Sequence, residues 1–233
     1  MKSPEGVGTL WKSGGFGDQL AWLKADLAKA NANRAQQPWI VVGGHRPMYT
    51  TGFSGTDNLV WPNATGHLRD AIEDLLRNNG VDVYLSGHVH ATERAFPVYR
   101  NVTVQHNYNN PPVPLHLVVG AAGNIEGVSH FGPITLWTAL RTRDFGYAEL
   151  TVYNATTLGY AYVKAADGAI TDSAVLVCVC VCCVSGILRR GRPILGQHAN
   201  RVGHPGVLRP VRVSNATREG YGRAMGAHVD KGT

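Results

Sequence analysis

Two short apolar runs, each followed by glycine and histidine, place the strongest constraint on how this chain folds. Residues 81–85 read Val-Asp-Val-Tyr-Leu and lead into Gly87-His88-Val89-His90. Residues 39–42 read Trp-Ile-Val-Val and lead into Gly43-Gly44-His45. β-Branched and aromatic runs of this length, bounded by turn residues, are typical of buried strands. We therefore predict two strands, each with a histidine motif at its carboxyl end.

The two histidine motifs meet at one edge of a sheet if their strands are parallel neighbours. Ligand sites in open α/β sheets lie outside the carboxyl ends of the strands. Gly87 lacks the Cβ that would hinder a tight turn there. Three imidazoles are suitable ligands for zinc, iron or manganese. The sequence therefore predicts a metal site formed by His45, His88 and His90.

Helical patterns precede both strands, which indicates an α/β fold. Residues 16–35 carry leucines at helical spacing, and residues 68–76 form a second apolar face that should end before Gly80. We expect Trp22 of the first helix to pack onto the sheet. Alternating patterns later in the chain predict antiparallel strands, with a hairpin after Asn154. These segments are residues 102–104, 115–120, 147–153 and 158–163.

Two motifs in order carry a resemblance to a known family. Gly44-His45-Arg46-Pro47-Met48-Tyr49, followed by Gly87-His88-Val89-His90-Ala91-Thr92-Glu93-Arg94, resembles the last two metal motifs of the purple acid phosphatases, within the metallophosphoesterase superfamily. Residues 16–23, 110–124 and 144–147 are similar to further segments of that family. The resemblance covers about residues 14–172. It implies a partial αββα sandwich whose N-terminal half is missing.

The resemblance also implies a chemistry, namely hydrolysis of phosphate monoesters at a dinuclear centre of Fe(III) with Zn(II), Mn(II) or Fe(II). By motif, His45 and His88 would bind the divalent ion and His90 the iron. The family's other ligands come from Asp-x-Gly, Gly-Asp-x-x-Tyr and Gly-Asn-His motifs, none of which precedes His45 here. Asp18 is better interpreted as the start of a helix. We therefore expect at most one weakly bound divalent ion and no more than trace activity from this chain alone.

The sequence is also compatible with two functions other than that of a phosphomonoesterase fragment. One is a non-catalytic remnant, or a module that binds a metal or a partner. The other, within the superfamily, is a phosphodiesterase or nucleotide pyrophosphatase. The motif at residues 44–49 and the segment at residues 110–124 favour the acid phosphatase branch.

Several polar residues near the motifs have simpler structural interpretations. We interpret Glu93 and Arg94 as a structural ion pair. His116 should be a core histidine whose hydrogen bonds are satisfied, because it lies in an apolar strand. His106 and His130 lie in loops, where they could face substrate.

The charge of the chain argues against nucleic acid as a partner. The net charge is +6, but residues 185–233 hold nine of the 22 Lys and Arg residues and only two of the 16 Asp and Glu residues. The remainder is therefore close to neutral and lacks the basic face that nucleic-acid binding requires. The sequence does not determine an oligomeric state.

The composition divides the chain into three parts. We expect a loose N-terminus at residues 1–14, the phosphatase-like domain at residues 15–173, and a tail at residues 174–233 that is disordered or unrelated to the domain. The apolar run in the tail is too short to span a bilayer, so a marginal membrane anchor with the basic residues 189–192 as its stop is less favoured than a disordered tail. All four cysteines lie between Cys178 and Cys183, where close spacing disfavours a disulfide framework.

Glycosylation sequons indicate the compartment of the protein. Asn63, Asn101 and Asn154 each begin an Asn-x-Thr triplet within the predicted domain, and such triplets accept N-linked sugars in secreted proteins. The first residues lack the apolar core of a signal peptide. We expect a secreted or extracellular protein whose true N-terminus lies upstream.

Overall fold

A computed structural model describes residues 18–53, 63–178 and 211–213 of the chain. Within these ranges the elements alternate helix and strand twice and then continue as strands. The helices are α1 (Gln19–Ala32) and α2 (Asn63–Asn78). The strands are β1 (Val41–Gly44), β2 (Val83–Ser86), β3 (Thr92–Ala95), β4 (Val98–Tyr99), β5 (Val102–Thr103), β6 (Leu115–Val119), β7 (Thr138–Thr142), β8 (Gly146–Asn154), β9 (Thr157–Lys164), β10 (Ile170–Val177) and β11 (Val211–Val213).

Helix α1 begins at a carboxylate cap. Asp18 Oδ1 accepts a hydrogen bond of 2.9 Å from Ala21 N, which satisfies one of the free amide groups of the first turn. The interpretation of Asp18 as a helix start is therefore confirmed. Leu27 is buried, but Trp22 is 57 % exposed, so the expectation that Trp22 packs onto the sheet is wrong. Five residues at 3.6 per turn place these two side chains about 140° apart around the helix.

Helix α2 packs the predicted apolar face and ends at Asn78, just before the predicted glycine. Ile72 and Leu76 are buried among the residues of α1 and β2. Gly80 has a φ of 60°, a left-handed conformation that glycine adopts without steric cost at helix ends. The chain then turns at once into β2, which brings the second histidine motif to the sheet edge.

The first sheet has five strands in the order β1-β2-β6-β3-β7. β1 pairs in parallel with β2, with Val41 opposite Val83 and Gly44 opposite Ser86. β2 pairs in parallel with β6, and β3 is antiparallel to both β6 and β7. The prediction that the two histidine-bearing strands are parallel neighbours is confirmed.

The second sheet has the order β10-β9-β8-β11 and is antiparallel throughout. Its inner face packs on the first sheet through a shared core to which β2 and β6 also contribute. A separate core lies between the helices and the opposite face of the first sheet. The described residues therefore form a helical layer and two packed sheets, with a small two-stranded sheet of β4 and β5 beside them, which agrees with the predicted partial αββα sandwich.

The domain boundary expected at Ser173 falls inside a strand. β10 continues to Val177 with regular pairing to β9, and Cys178 is buried with its Sγ 3.7 Å from Asp82 Oδ1. The expectation of a tail without a fixed fold is therefore wrong for residues 174–178, because their alternate side chains complete the core between the sheets. It is also wrong for the backbone of residues 211–213, which pairs with β8.

The other expectations for the ends of the chain lie outside the described residues. These are the loose N-terminus at residues 1–14 and the character of residues 179–210 and 214–233. Within the described ranges, no helix combines the length and the apolar character needed to cross a membrane.

Candidate metal centre

His45 and His88 meet at the shared carboxyl edge of β1 and β2. His88 Nδ1 lies 3.1 Å from His45 Nε2. The ring centroids are 4.9 Å apart and the ring planes are inclined by 70°. The parallel register brings Gly44 opposite Ser86, so β1 and β2 end side by side and their histidines follow at the same edge of the sheet. The structure thus brings together two of the three predicted site residues in direct contact.

A tight turn after β2 directs His88 toward His45. His88 has a φ of 65°, a left-handed conformation that is uncommon for residues other than glycine. Gly87 N donates a 3.1 Å hydrogen bond to His45 O, which ties the two loops together. Gly120 packs so closely beneath the turn that a Cβ there would lie 1.9 Å from Val89 O. The turn is therefore held in place by backbone contacts on both sides.

His90 lies beside the pair and is held by a third loop. Its N–H donates to Ser129 Oγ at 2.9 Å, and its carbonyl accepts from Ser129 N at 2.9 Å. His90 Nδ1 lies 3.5 Å from Glu126 Oε2. Our sequence analysis missed Glu126 and Ser129. The signal was available, because their loop follows β6, which is parallel to β2 and ends at the same edge of the sheet.

The local field favours neutral imidazole at His45. Partial loss of solvent around the ring lowers the pKa of His45, and the positive charge of Arg46 and the proximity of His90 lower it further. A neutral imidazole retains the lone pair that a metal ion requires. The electrostatics of this edge thus favour the metal-binding form of His45.

The two contacting imidazoles have the spacing of ligands to one ion. Two nitrogens bound to a common zinc ion at about 2.0–2.1 Å lie roughly 2.9–3.4 Å apart for angles of about 90–109° at the metal. The 3.1 Å between His45 and His88 falls in this interval. In the part of the chain that the structure describes, however, no three His, Cys, Asp or Glu side chains converge closely enough to hold a metal ion. The His45–His88 pair therefore has the spacing for one ion, but it supplies fewer protein ligands than the three of a catalytic zinc site.

Glu93 and Arg94 do not pair with each other, so the interpretation of these two residues as an ion pair is wrong. They are consecutive residues of β3, and side chains alternate across a strand. Arg94 instead forms a two-pronged ion pair with Asp172 of β10, at 2.7 and 2.9 Å. Glu93 is 1 % exposed and accepts hydrogen bonds from Thr50 and Thr51. Burial raises the pKa of Glu93, and these hydrogen bonds lower it in part.

His116 is a core histidine, but its hydrogen bonds are not complete. It lies on β6 below the site, with its ring edge-on to Tyr49 at 4.9 Å between centroids. Among the described residues its Nδ1 has no hydrogen-bond partner. Complete burial lowers the pKa of His116 to about 3. The expectation of a satisfied histidine is therefore wrong in this respect.

The two loop histidines lie in different places. His106 is exposed and its ring packs edge-on against Phe96 at 4.8 Å. His130 lies in the loop that holds His90, and its carbonyl accepts a hydrogen bond from Phe53 N. Of the two, only His130 is on an element that borders the histidine site.

Two family models match consecutive parts of the chain. Residues 5–92 match the calcineurin-like phosphoesterases, and residues 113–173 match the C-terminal domain described as iron/zinc purple acid phosphatase-like protein C. The first range contains His45, His88 and His90. The second covers β6 to the first half of β10.

Curated proteins and solved structures point the same way. The chain is 36 % identical over 173 residues to an acid phosphatase of Aspergillus ficuum, covering 69 % of this chain and 26 % of the relative. It is 37 % identical over 165 residues to human acid phosphatase type 7, covering 66 % and 37 %. The fold is similar to a purple acid phosphatase from yellow lupin seeds, with a TM-score of 0.64 and 28 % identity over 81 % of this chain and 33 % of that one. The chain thus spans about a third of the length of the proteins it matches.

Proposed function

The chain belongs to the purple acid phosphatase family of calcineurin-like phosphoesterases, and we propose that it is the C-terminal portion of a phosphomonoesterase. The observation that carries this proposal is the contact of His45 with His88 at the ends of two parallel strands. A hydrolase of this kind requires a site that can hold metal ions against phosphate oxygens. The edge of β1 and β2 supplies imidazole donors for such a site.

In this proposal His45 and His88 hold a divalent ion, and His90, which Ser129 holds beside them, is a further ligand of the centre in the whole protein. In the whole protein the ions would be Fe(III) with Zn(II), Mn(II) or Fe(II), and they would neutralise phosphate charge and lower the pKa of a water molecule. This chain's own part is to present imidazoles at a fixed spacing. The turn at His88 and the contact of Ser129 with His90 set their positions.

The isolated chain should not carry out the reaction. In the described part of the chain no three His, Cys, Asp or Glu side chains converge on one point, and imidazoles without a bridging carboxylate do not stabilise two hard cations. We propose that the chain by itself binds one divalent ion weakly and hydrolyses phosphate esters at no more than trace rates. In that state it is a metal-binding module rather than an enzyme.

Zinc titration by calorimetry tests the site directly. We expect one weak site at pH 7.5, lost in His45→Ala and His88→Ala and retained in His67→Ala, whose side chain is exposed on α2. Binding should weaken at pH 5, because protons compete with the metal for imidazole. Two tight sites would show that ligands have been overlooked.

An assay on p-nitrophenyl phosphate tests the catalytic part of the proposal. With iron and zinc added, the isolated chain should show at most trace turnover. Robust turnover that His88→Ala abolishes would refute the claim that this portion is inactive alone.

We further propose that the protein is secreted and glycosylated. Asn101 is exposed in a two-residue hairpin turn, with Arg100 and Asn101 both at positive φ, which is the type I′ turn that favours asparagine. Asn154 is exposed at the β8–β9 turn. Asn63 is the first residue of α2. Mass spectrometry of the protein secreted from eukaryotic cells should detect glycans at these sites; unmodified peptides at all three would refute this proposal.

A further inference from the structure

Two loops pair with each other beside His90. Phe53 N donates to His130 O at 2.9 Å, and Gly132 N donates to Thr51 O at 2.7 Å. Gly52 and Phe131 form an antiparallel bridge between these bonds. Residues 50–53 follow the first histidine motif, and residues 129–132 begin with the serine that holds His90. We call these two segments the rim loops.

One guanidinium group joins the rim loops. Arg141 Nη1 donates to Thr51 Oγ1 at 3.0 Å and to Gly132 O at 2.8 Å, so the same nitrogen contacts both loops. The guanidinium also lies over the ring of Phe131, 4.9 Å from its centroid. A charged donor forms stronger hydrogen bonds than a neutral one. Arg141 is therefore placed to hold the loops in one register.

The arginine is supported from below by a buried carboxylate. Arg141 on β7 stands directly opposite Glu93 on β3. Glu93 accepts from Thr51 N at 2.7 Å, from Thr51 Oγ1 at 2.6 Å and from Thr50 Oγ1 at 2.9 Å. Thr51 Oγ1 thus donates to Glu93 and accepts from Arg141. The first rim loop is consequently held by Glu93, which accepts hydrogen bonds from Thr51, and by Arg141, which donates one to Thr51.

The second rim loop passes this constraint to the histidine site. Ser129 makes two hydrogen bonds to the backbone of His90, and it is three residues before Gly132, which Arg141 holds. We propose that Arg141 is a positioning residue that ties the two rim loops together and so fixes the backbone that carries His90. This inference rests on the proposed role of the histidines as metal ligands.

The experiment compares Arg141→Gln and Arg141→Lys with Arg143→Gln, a matched control that removes the same charge from an exposed residue after β7. Hydrogen exchange in the absence of metal reports on the rim loops. We expect exchange at Phe53 N and Gly132 N to accelerate about tenfold in Arg141→Gln, because the bonds that pin their loops are lost. Amides in the β8–β9 pairing should be unaffected. Unchanged exchange at both rim amides would overturn the proposal.

Zinc affinity and the His90 resonance then test the link to the site. We expect Arg141→Gln to weaken zinc binding about tenfold, as loss of supporting contacts around ligands does, with partial recovery in Arg141→Lys and no change in Arg143→Gln. Faster loop exchange with unaltered zinc affinity would overturn the positioning role.

If the wild-type chain binds no zinc, the proposed metal site is refuted, but the positioning role of Arg141 can still be tested. The backbone amide resonance of His90 then decides the inference. A shift in Arg141→Gln and none in Arg143→Gln supports the positioning role, and no shift in either overturns it.

Discussion

Replacement of His116 by phenylalanine should make the fold less sensitive to acid. The folded-state pKa of His116 is about 3, because the ring is completely buried, against an ordinary value of 6.5. Below pH 6.5 the unfolded chain therefore binds a proton that the folded chain excludes. The free energy of unfolding falls by about 1.4 kcal/mol for each pH unit until the folded-state pKa is reached. Between pH 7 and pH 4.5 this amounts to about 2–3 kcal/mol.

The phenylalanine variant removes the proton-binding group and keeps a ring against Tyr49. Tyr49 and Tyr84, whose ring centroid is 5.8 Å from that of His116, do not titrate in this range. The ordinary pKa of tyrosine is 10.0, and burial raises the pKa of both residues further. The variant also removes the Nδ1 that lacks a partner. At pH 7 we expect a change in stability below about 1.5 kcal/mol, which is usual for volume-conserving swaps.

Urea unfolding at pH 7.0, 5.5 and 4.5 measures the effect. The difference in the free energy of unfolding between the variant and the wild-type chain should widen by about 2–3 kcal/mol in favour of the variant as the pH falls. His67→Gln, which changes an exposed histidine on α2, serves as the control and should leave the wild-type pH dependence unaltered. If His116→Phe and the wild type lose stability in parallel, the burial argument for this histidine is wrong.

Three further changes test the packing around the site. Gly120→Ala should lower the free energy of unfolding by several kcal/mol and weaken zinc binding, since the new Cβ would lie 1.9 Å from Val89 O. A variant as stable as the wild type in urea would contradict this close approach. Arg94→Met should lower the free energy of unfolding by about 3–5 kcal/mol, because it leaves the buried carboxylate of Asp172 without its charged partner. The double variant with Asp172→Leu should recover most of that loss, and no recovery would refute the pairing. Trp22→Ser should change stability by less than about 0.5 kcal/mol, because the side chain is mostly exposed; a larger loss in thermal unfolding would show that it packs.

The local sequence pattern was sufficient to predict the helices and strands that position the histidines. Strand-forming runs at residues 39–42 and 81–85 end at glycine and histidine, and the rules for parallel sheets place such ends at one edge. The helix start at Asp18 and the helix stop at Gly80 also follow from neighbouring residues alone. The contact of His45 with His88 was predictable for the same reason, since each histidine's position depends on its own strand.

Partner choice, in contrast, was decided only by the tertiary structure. Arg94 pairs with Asp172, which is 78 residues away, and not with the adjacent Glu93, because alternate residues of a strand face opposite layers. Glu126 reaches the site on the loop after β6 and Arg141 reaches it from β7, so both positions depend on how β6, β3 and β7 pair. Such contacts join residues far apart in the chain, and no local periodicity encodes them. The sequence therefore determined where the histidines stand, and only the packing of the sheets determined what surrounds and holds them.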